Sequence, residues 1–191
     1  MTSDRGASLL ELLLMLAIAL LVLSATTMAT GAVREEGRVR GAAAALAGQF
    51  RHARQDAVRR STSTALVFDE NPAGWSVRTC RDGNRNGVRR ADITAGVDVC
   101  QAATGISAAF PGVTMGVDEG IAGPDGDAPS ADPVRLGRGN LASFSPDGTC
   151  TSGTVFLRSA GRVFYAIRLA GVTGRTRLLR YDAGAGRWQD A

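Results

Sequence analysis

The sequence predicts an α+β protein in which one long N-terminal helix, partly membrane-spanning, packs on an antiparallel β-sheet. Three observations predict it. Residues 7–33 form an apolar run with a single ionisable side chain, Glu11. No proline precedes Pro72, so nothing breaks a helix from about residue 8 to residue 60. After Ser61 the apolar residues leave helical spacing and fall into short runs bounded by Gly, Pro, Asn and Asp. The 191 residues suffice for one globular domain plus an N-terminal anchor.

Residues 1–6 read as a polar leader that ends in Gly6. Residues 7–33 read as a membrane or fibre-core helix and residues 34–61 as its amphipathic continuation. In that continuation Val39, Ala43, Leu46, Phe50, Ala53 and Ala57 recur at spacings of four and three, a narrow apolar seam, with Arg34, Arg38, Arg51, Arg59 and Arg60 off it. Such a seam needs a cover, and the downstream strands supply one. Gly31, Gly37, Gly41 and Gly48 weaken the helix locally and predict bending or partial melting near them. Residues 62–191 read as a β-rich domain. Residues 64–68 and 74–79 form a hairpin around Glu70-Asn71-Pro72-Ala73, and further strands are expected at 141–144, 153–158, 163–169 and 176–181. The Gly-, Pro- and Asp-rich stretch 110–140 reads as a long loop with at most one short strand.

A carboxylate in a would-be membrane helix costs roughly 2.5–3.5 kcal/mol or more at the bilayer centre, so Glu11 calls for a function. Its context is Gly6, then Ala7-Ser8-Leu9-Leu10-Glu11, then twelve uninterrupted apolar residues, 12–23. That order resembles the class III signal of type IV pilins and type II secretion pseudopilins. The resemblance implies a pilin fold, cleavage by a prepilin peptidase between Gly6 and Ala7, N-methylation of Ala7, and Glu11 as fifth mature residue. Glu11 would neutralise the new terminus of a neighbouring subunit and so set assembly register. The family usually starts its mature chain with Phe or Met; this one would start with Ala7. Further along, residues 46–60, Ala65-Leu66-Val67-Phe68, Phe144-Ser145-Pro146-Asp147-Gly148 and Gly174-Arg175-Thr176-Arg177 resemble minor pseudopilins of the GspH/FimT type. The implied partners are other pilins, the peptidase and the bacterial inner membrane, with the β domain in the periplasm. A secretory signal peptide, or a plain membrane anchor holding a domain that never polymerises, is the alternative from the same residues.

All 22 basic residues are arginine. The stretch 69–147 is acidic and the tail from Arg158 is basic, which suits a polyanionic or acidic partner, or a charged strand edge that resists aggregation. In DNA-uptake pilins resembling this chain, a Gly-Arg-x-Arg element contacts DNA, which makes Arg175, Arg177 and Arg180 candidate DNA contacts. Arg near the membrane segment (Arg34, Arg38, Arg40 against Arg5) would by itself place the C-terminal side inside. Cysteine usage and the resemblance place it outside. Cys80 and Cys100 flank a polar loop that a disulfide can close in an oxidising compartment, with Cys150 left over or an alternative partner. No catalytic constellation is visible, His52 is the sole histidine, and the chain does not read as an enzyme. No cofactor is implied beyond a calcium candidate. Asp82, Asn84 and Asn86 with Gly87 open like an EF-hand loop, but its twelfth position is Ile93 and Asp92 comes one residue early.

Overall fold

A computed structural model describes residues 8–191, with the side chains of 23–30, 32 and 138 excepted. Helix α1 (Leu9–Arg60) runs unbroken for 52 residues, about 78 Å at 1.5 Å per residue. Ser8 caps it: its hydroxyl accepts from the Glu11 amide at 3.3 Å. At the far end Ser61 turns left-handed (φ 52°) and its amide reaches back to the Ala57 and Val58 carbonyls, while Arg59 and Arg60 oppose the negative end of the helix. The helix does not melt at Gly31, Gly37, Gly41 or Gly48. A glycine costs a helix roughly 1 kcal/mol, and at Gly41 and Gly48 the burial of the flanking seam outweighs that.

The seam is buried as its spacing requires. Val39, Ala43, Leu46, Phe50, Ala53 and Ala57 are all at most 1% exposed, joined by Ala42, Ala47 and the carboxylate-bearing Asp56. The cover is two antiparallel sheets rather than the single sheet expected. The first carries β1 (Thr64–Asn71), β2 (Gly74–Arg81), β3 (Val99–Cys100), β4 (Thr104–Gly105) and β7 (Leu141–Phe144), in the order β3-β2-β1-β7 with β4 also on β2. The second carries β5 (Val113–Met115), β6 (Val134–Leu136), β8 (Gly153–Ser159), β9 (Phe164–Ala170), β10 (Arg175–Asp182) and β11 (Arg187–Asp190), in the order β11-β10-β9-β8-β5 with β6 also on β8. Two short helices, α2 (Arg90–Thr94) and α3 (Ile106–Ala109), lie in the connections. The β1–β2 hairpin is longer and its turn tighter than expected: only Pro72 and Ala73 lie outside the ladder, since Asn71 pairs with Gly74.

Strand alternation explains three clusters. Leu66 and Phe68 of β1, Val155 and Leu157 of β8, and Tyr165, Ile167 and Leu169 of β9 face α1 and form the main core with its seam. Phe50 sits at its centre, with ring centroids 6.0 Å from Phe68 and 6.2 Å from Phe144. The opposite faces are also covered. Ala65, Val67 and Cys80 are packed under Val88 of the 82–98 loop. Phe156, Ala166 and Leu179 are packed under Val117 and Ile121.

The 110–140 stretch is therefore a strap across the second sheet, edged by β5 and β6, not a free loop. Charge fastens it. Arg158 and Arg162 pair with Asp118, Arg168 pairs with Asp125, and the Trp188 indole N–H donates to the Ala122 carbonyl at 2.8 Å. Two acids of the middle, Asp118 and Asp125, thus pair with arginines of the basic tail, far apart in sequence.

Candidate functional site

Gly6 and Ala7, the sequence-predicted cleavage and methylation positions, lie outside the described residues. Glu11 lies in the first turn of α1, where a carboxylate favours the positive helix end. Around it the helix is apolar and uncovered: Leu9 is 78% exposed, Leu21 70%, and Ile18, at 53%, is still open. Contiguous apolar surface of this extent is uncommon on a monomeric soluble domain. Among the described residues no helical stretch is long and apolar enough to cross a membrane. The apolar run continues in sequence through residues 23–30, whose side chains lie outside that description.

The helix enters the domain through a polar collar. Glu35 accepts from the Gly161 amide at 2.6 Å, and that bond, with one from Ser159, holds its carboxyl below the usual range. A Cβ on Gly161 would come within 2.4 Å of the Glu35 carboxylate, so a side chain there would displace that carboxylate from its hydrogen bond. Glu36 pairs with Arg180 at 2.9 Å, and Arg38 donates to the Pro111 carbonyl at 3.2 Å. These contacts tie the helix to the β8–β9 turn, to β10 and to the start of β5. Sequence reasoning did not find the collar, because its partners lie more than a hundred residues from Glu35 and Glu36.

The three arginines read as DNA contacts are not one surface. Arg177 pairs with Asp190 at 3.0 Å and Arg180 with Glu36 in the collar, on the opposite face of β10. Arg175 is exposed and has no carboxylate partner among the described residues.

Cys80 and Cys100 are disulfide-bonded as directly opposed residues of β2 and β3, with Cα atoms 4.0 Å apart. Cys150 is a free thiol, half-buried, whose pKa burial pushes up, and it donates to the Ala170 carbonyl at 3.6 Å. Within the disulfide loop, Asp82 accepts from the amides of Asn84, Arg85 and Gly87. Asn84 accepts from the Asn86 amide, and Asp92 from the Asn86 side chain. Asp98, which the calcium motif did not include, accepts from the Gly83 and Arg89 amides. Of the candidate calcium ligands, Asp82 and Asn84 thus cap the loop's own backbone, and Asp92 holds the Asn86 side chain. Among the described residues no three His, Cys, Asp or Glu side chains are grouped to hold a metal.

Asp56 is the one acid on the buried seam, 4% exposed. Its Oδ1 accepts from Arg60 at 2.7 Å and its Oδ2 from Arg81 at 3.0 Å. The Arg60 hydrogen bond, helped by the charge of Arg81, keeps its carboxyl below the usual range despite burial. A depressed pKa stabilises the fold above the unfolded aspartate value, about 3.9, and that contribution is lost as pH falls through the folded value. Asp56→Asn is expected to destabilise the domain by about 2 kcal/mol at neutral pH, the loss of charge assistance in two hydrogen bonds. Urea melts should show that gap closing as pH falls below about 4. A gap that stayed constant with pH would mean Asp56 contributes shape alone.

In comparisons with family models, with curated proteins and with solved structures, nothing matches the chain.

Proposed function

We propose that the chain is a minor pseudopilin or minor pilin, a structural subunit of a type II secretion pseudopilus or type IV pilus. One observation carries this reading. A single helix has two halves of opposite character: the described part of its apolar half is exposed and carries the lone acid Glu11, while the other half is the core of a β-rich domain. A domain that needed only an anchor gains nothing from a carboxylate five residues past Gly6. A subunit whose apolar helix is buried among its neighbours' helices can use it to neutralise a terminus that must be buried with them.

In this proposal a prepilin peptidase removes residues 1–6 at the inner membrane, Ala7 becomes the methylated N-terminus, and the β domain faces the periplasm. The collar at Glu35 and Glu36 holds that domain at a fixed angle to the fibre-core helix. The role is assembly, not catalysis.

Processing is the direct test. Intact-mass measurement of the membrane-extracted protein, with and without co-expressed prepilin peptidase, should show peptidase-dependent loss of the mass of residues 1–6 and gain of one methyl group. Cleavage after Ala29-Thr30-Gly31 instead would identify a signal peptide, and no cleavage a plain anchor. Either result overturns the proposal.

A further inference from the structure

We infer that the end of the β domain nearest the apolar half of α1 docks on the headgroups of an anionic bilayer, a surface that depends on the membrane placement in the proposed function and not on processing or polymerisation. The apolar run, residues 7–33, extends about 40 Å as a helix, close to the roughly 40–45 Å of a bilayer with its headgroup layers. Arg34 follows it directly, and Arg38 and Arg40 lie within the next two turns. A chain held in a bilayer by that run brings these arginines to the level of the phosphates. The collar brings part of the β domain to the same level. The Gly161 amide reaches Glu35, Arg38 reaches the Pro111 carbonyl, and Arg180 reaches Glu36. The β8–β9 turn, the entry to β5 and the β10–β11 turn just beyond Arg180 therefore lie beside the first turns of α1 that leave the apolar run.

Seven arginines belong to this end: Arg34, Arg38 and Arg40 of the helix, with Arg158, Arg162, Arg180 and Arg187 of the strands and turns. Five acids lie among them, Glu35, Glu36, Asp118, Glu119 and Asp182, so the net charge is only +2. The two signs are disposed differently, however. All seven arginines are exposed. Four of the five acids are half-buried and bonded within the domain. Glu35 accepts from the Gly161 amide, Glu36 pairs with Arg180, Asp118 with Arg158 and Arg162, and Asp182 accepts from the amides of Gly184 and Ala185. Arg34 and Arg40 have no carboxylate partner among the described residues. The acids thus face the protein and the guanidiniums face outward. Between them the exposed backbone carries Pro111, Gly112, Ala160 and Gly161. Those residues are small and uncharged and leave the guanidiniums free to meet a flat array of phosphates.

Position and charge together select lipid as the occupant. The apolar half of α1 leaves the domain through this patch, so in a membrane-held chain the bilayer is the surface that the patch faces. Guanidinium forks pair with phosphate oxygens through two hydrogen bonds, and each basic residue near an anionic bilayer contributes about 1 kcal/mol. Headgroup pairing also gives Arg34, Arg38 and Arg40 a role on whichever side of the bilayer the domain lies. Those are the arginines whose position, weighed against Arg5 alone, would keep the domain inside.

The test reconstitutes the unprocessed full chain in phosphatidylcholine vesicles doped with spin-labelled phosphatidylglycerol or, in parallel, spin-labelled phosphatidylcholine. Electron paramagnetic resonance then measures how much of each label is immobilised at the protein. At low salt phosphatidylglycerol should be retained about threefold or more over phosphatidylcholine. That ratio should fall towards one at about 1 M salt, where the screening length is about 3 Å. Arg34→Gln with Arg162→Gln should remove most of the preference. Arg34 has no partner to lose and Arg158 still holds Asp118, and an unchanged urea midpoint checks that the fold survives. Arg51→Gln with Arg175→Gln removes the same charge about 25 Å further along α1 and should leave the ratio unchanged. A wild-type ratio near one at low salt overturns the inference and leaves the pseudopilin reading standing. So does a preference that the first pair of substitutions keeps, or that the second pair lowers equally. A chain that fails to float with the vesicles overturns the membrane placement and the lipid surface together.

Discussion

Phe50→Ala is expected to cost the domain about 4 kcal/mol, measured as the shift in urea-unfolding free energy of the detergent-solubilised protein. Phe50 is fully buried, and it is the α1 side chain that touches aromatic rings of both β1 and β7. Removing it takes away the transfer energy of a phenyl group and leaves a cavity that three rigid elements cannot collapse to fill. β1 is fixed on both edges by β2 and β7, and α1 is held at one end by the collar and at the other by Asp56. Phe50→Leu keeps most of the volume and should cost about 1–1.5 kcal/mol. A Phe50→Ala cost below about 1 kcal/mol would mean that α1 is not the centre of this core. The comparison also separates packing from chain connection, since a helix merely tethered to the sheets would tolerate the truncation.

The helix and its buried face were legible because they are local. Spacings of four and three fix which side of α1 is apolar whatever covers it, and Ser8, Ser61 and the absence of proline bound it. The hairpin turn at Pro72-Ala73 was legible for the same reason. What covers the seam was not. The choice of β7 as partner to β1, and the split into two sheets, depend on pairings between strands remote in sequence. The 110–140 stretch misled because Gly, Pro and Asp are loop formers, yet Val117 and Ile121 within it close the outer face of the second sheet. The arginines show the same limit. Strand alternation already puts Arg175 and Arg177 on one face and Arg180 on the other; what it does not give is that Asp190 holds Arg177 and Glu36 holds Arg180.

Glu11→Ala should be processed as efficiently as the wild type and yet fail to enter fibres, scored by the mature protein in sheared fibre fractions against that in membranes. Peptidase recognition reads the residues around the cut, and alanine in the first turn of α1 is a good helix former, so neither cleavage nor the helix suffers. Assembly is different. In the proposed processing the cut would create an α-amino group that is mostly protonated near neutral pH, with a pKa of about 7.7–8.0. Burying that cation among apolar helices without a counter-charge costs several kcal/mol. Each 1.4 kcal/mol is a factor of ten, so a loss of about 3–5 kcal/mol lowers incorporation roughly 10²–10³-fold or more. Glu11→Gln separates charge from shape: it keeps the length and a hydrogen-bond acceptor but cannot neutralise the terminus. It should therefore fall much closer to alanine than to the wild type. Glu11→Asp keeps the charge on a shorter arm and should retain partial incorporation. Full incorporation of the Gln variant would show that a neutral hydrogen bond is enough, and full incorporation of the Ala variant would remove Glu11 from register selection altogether.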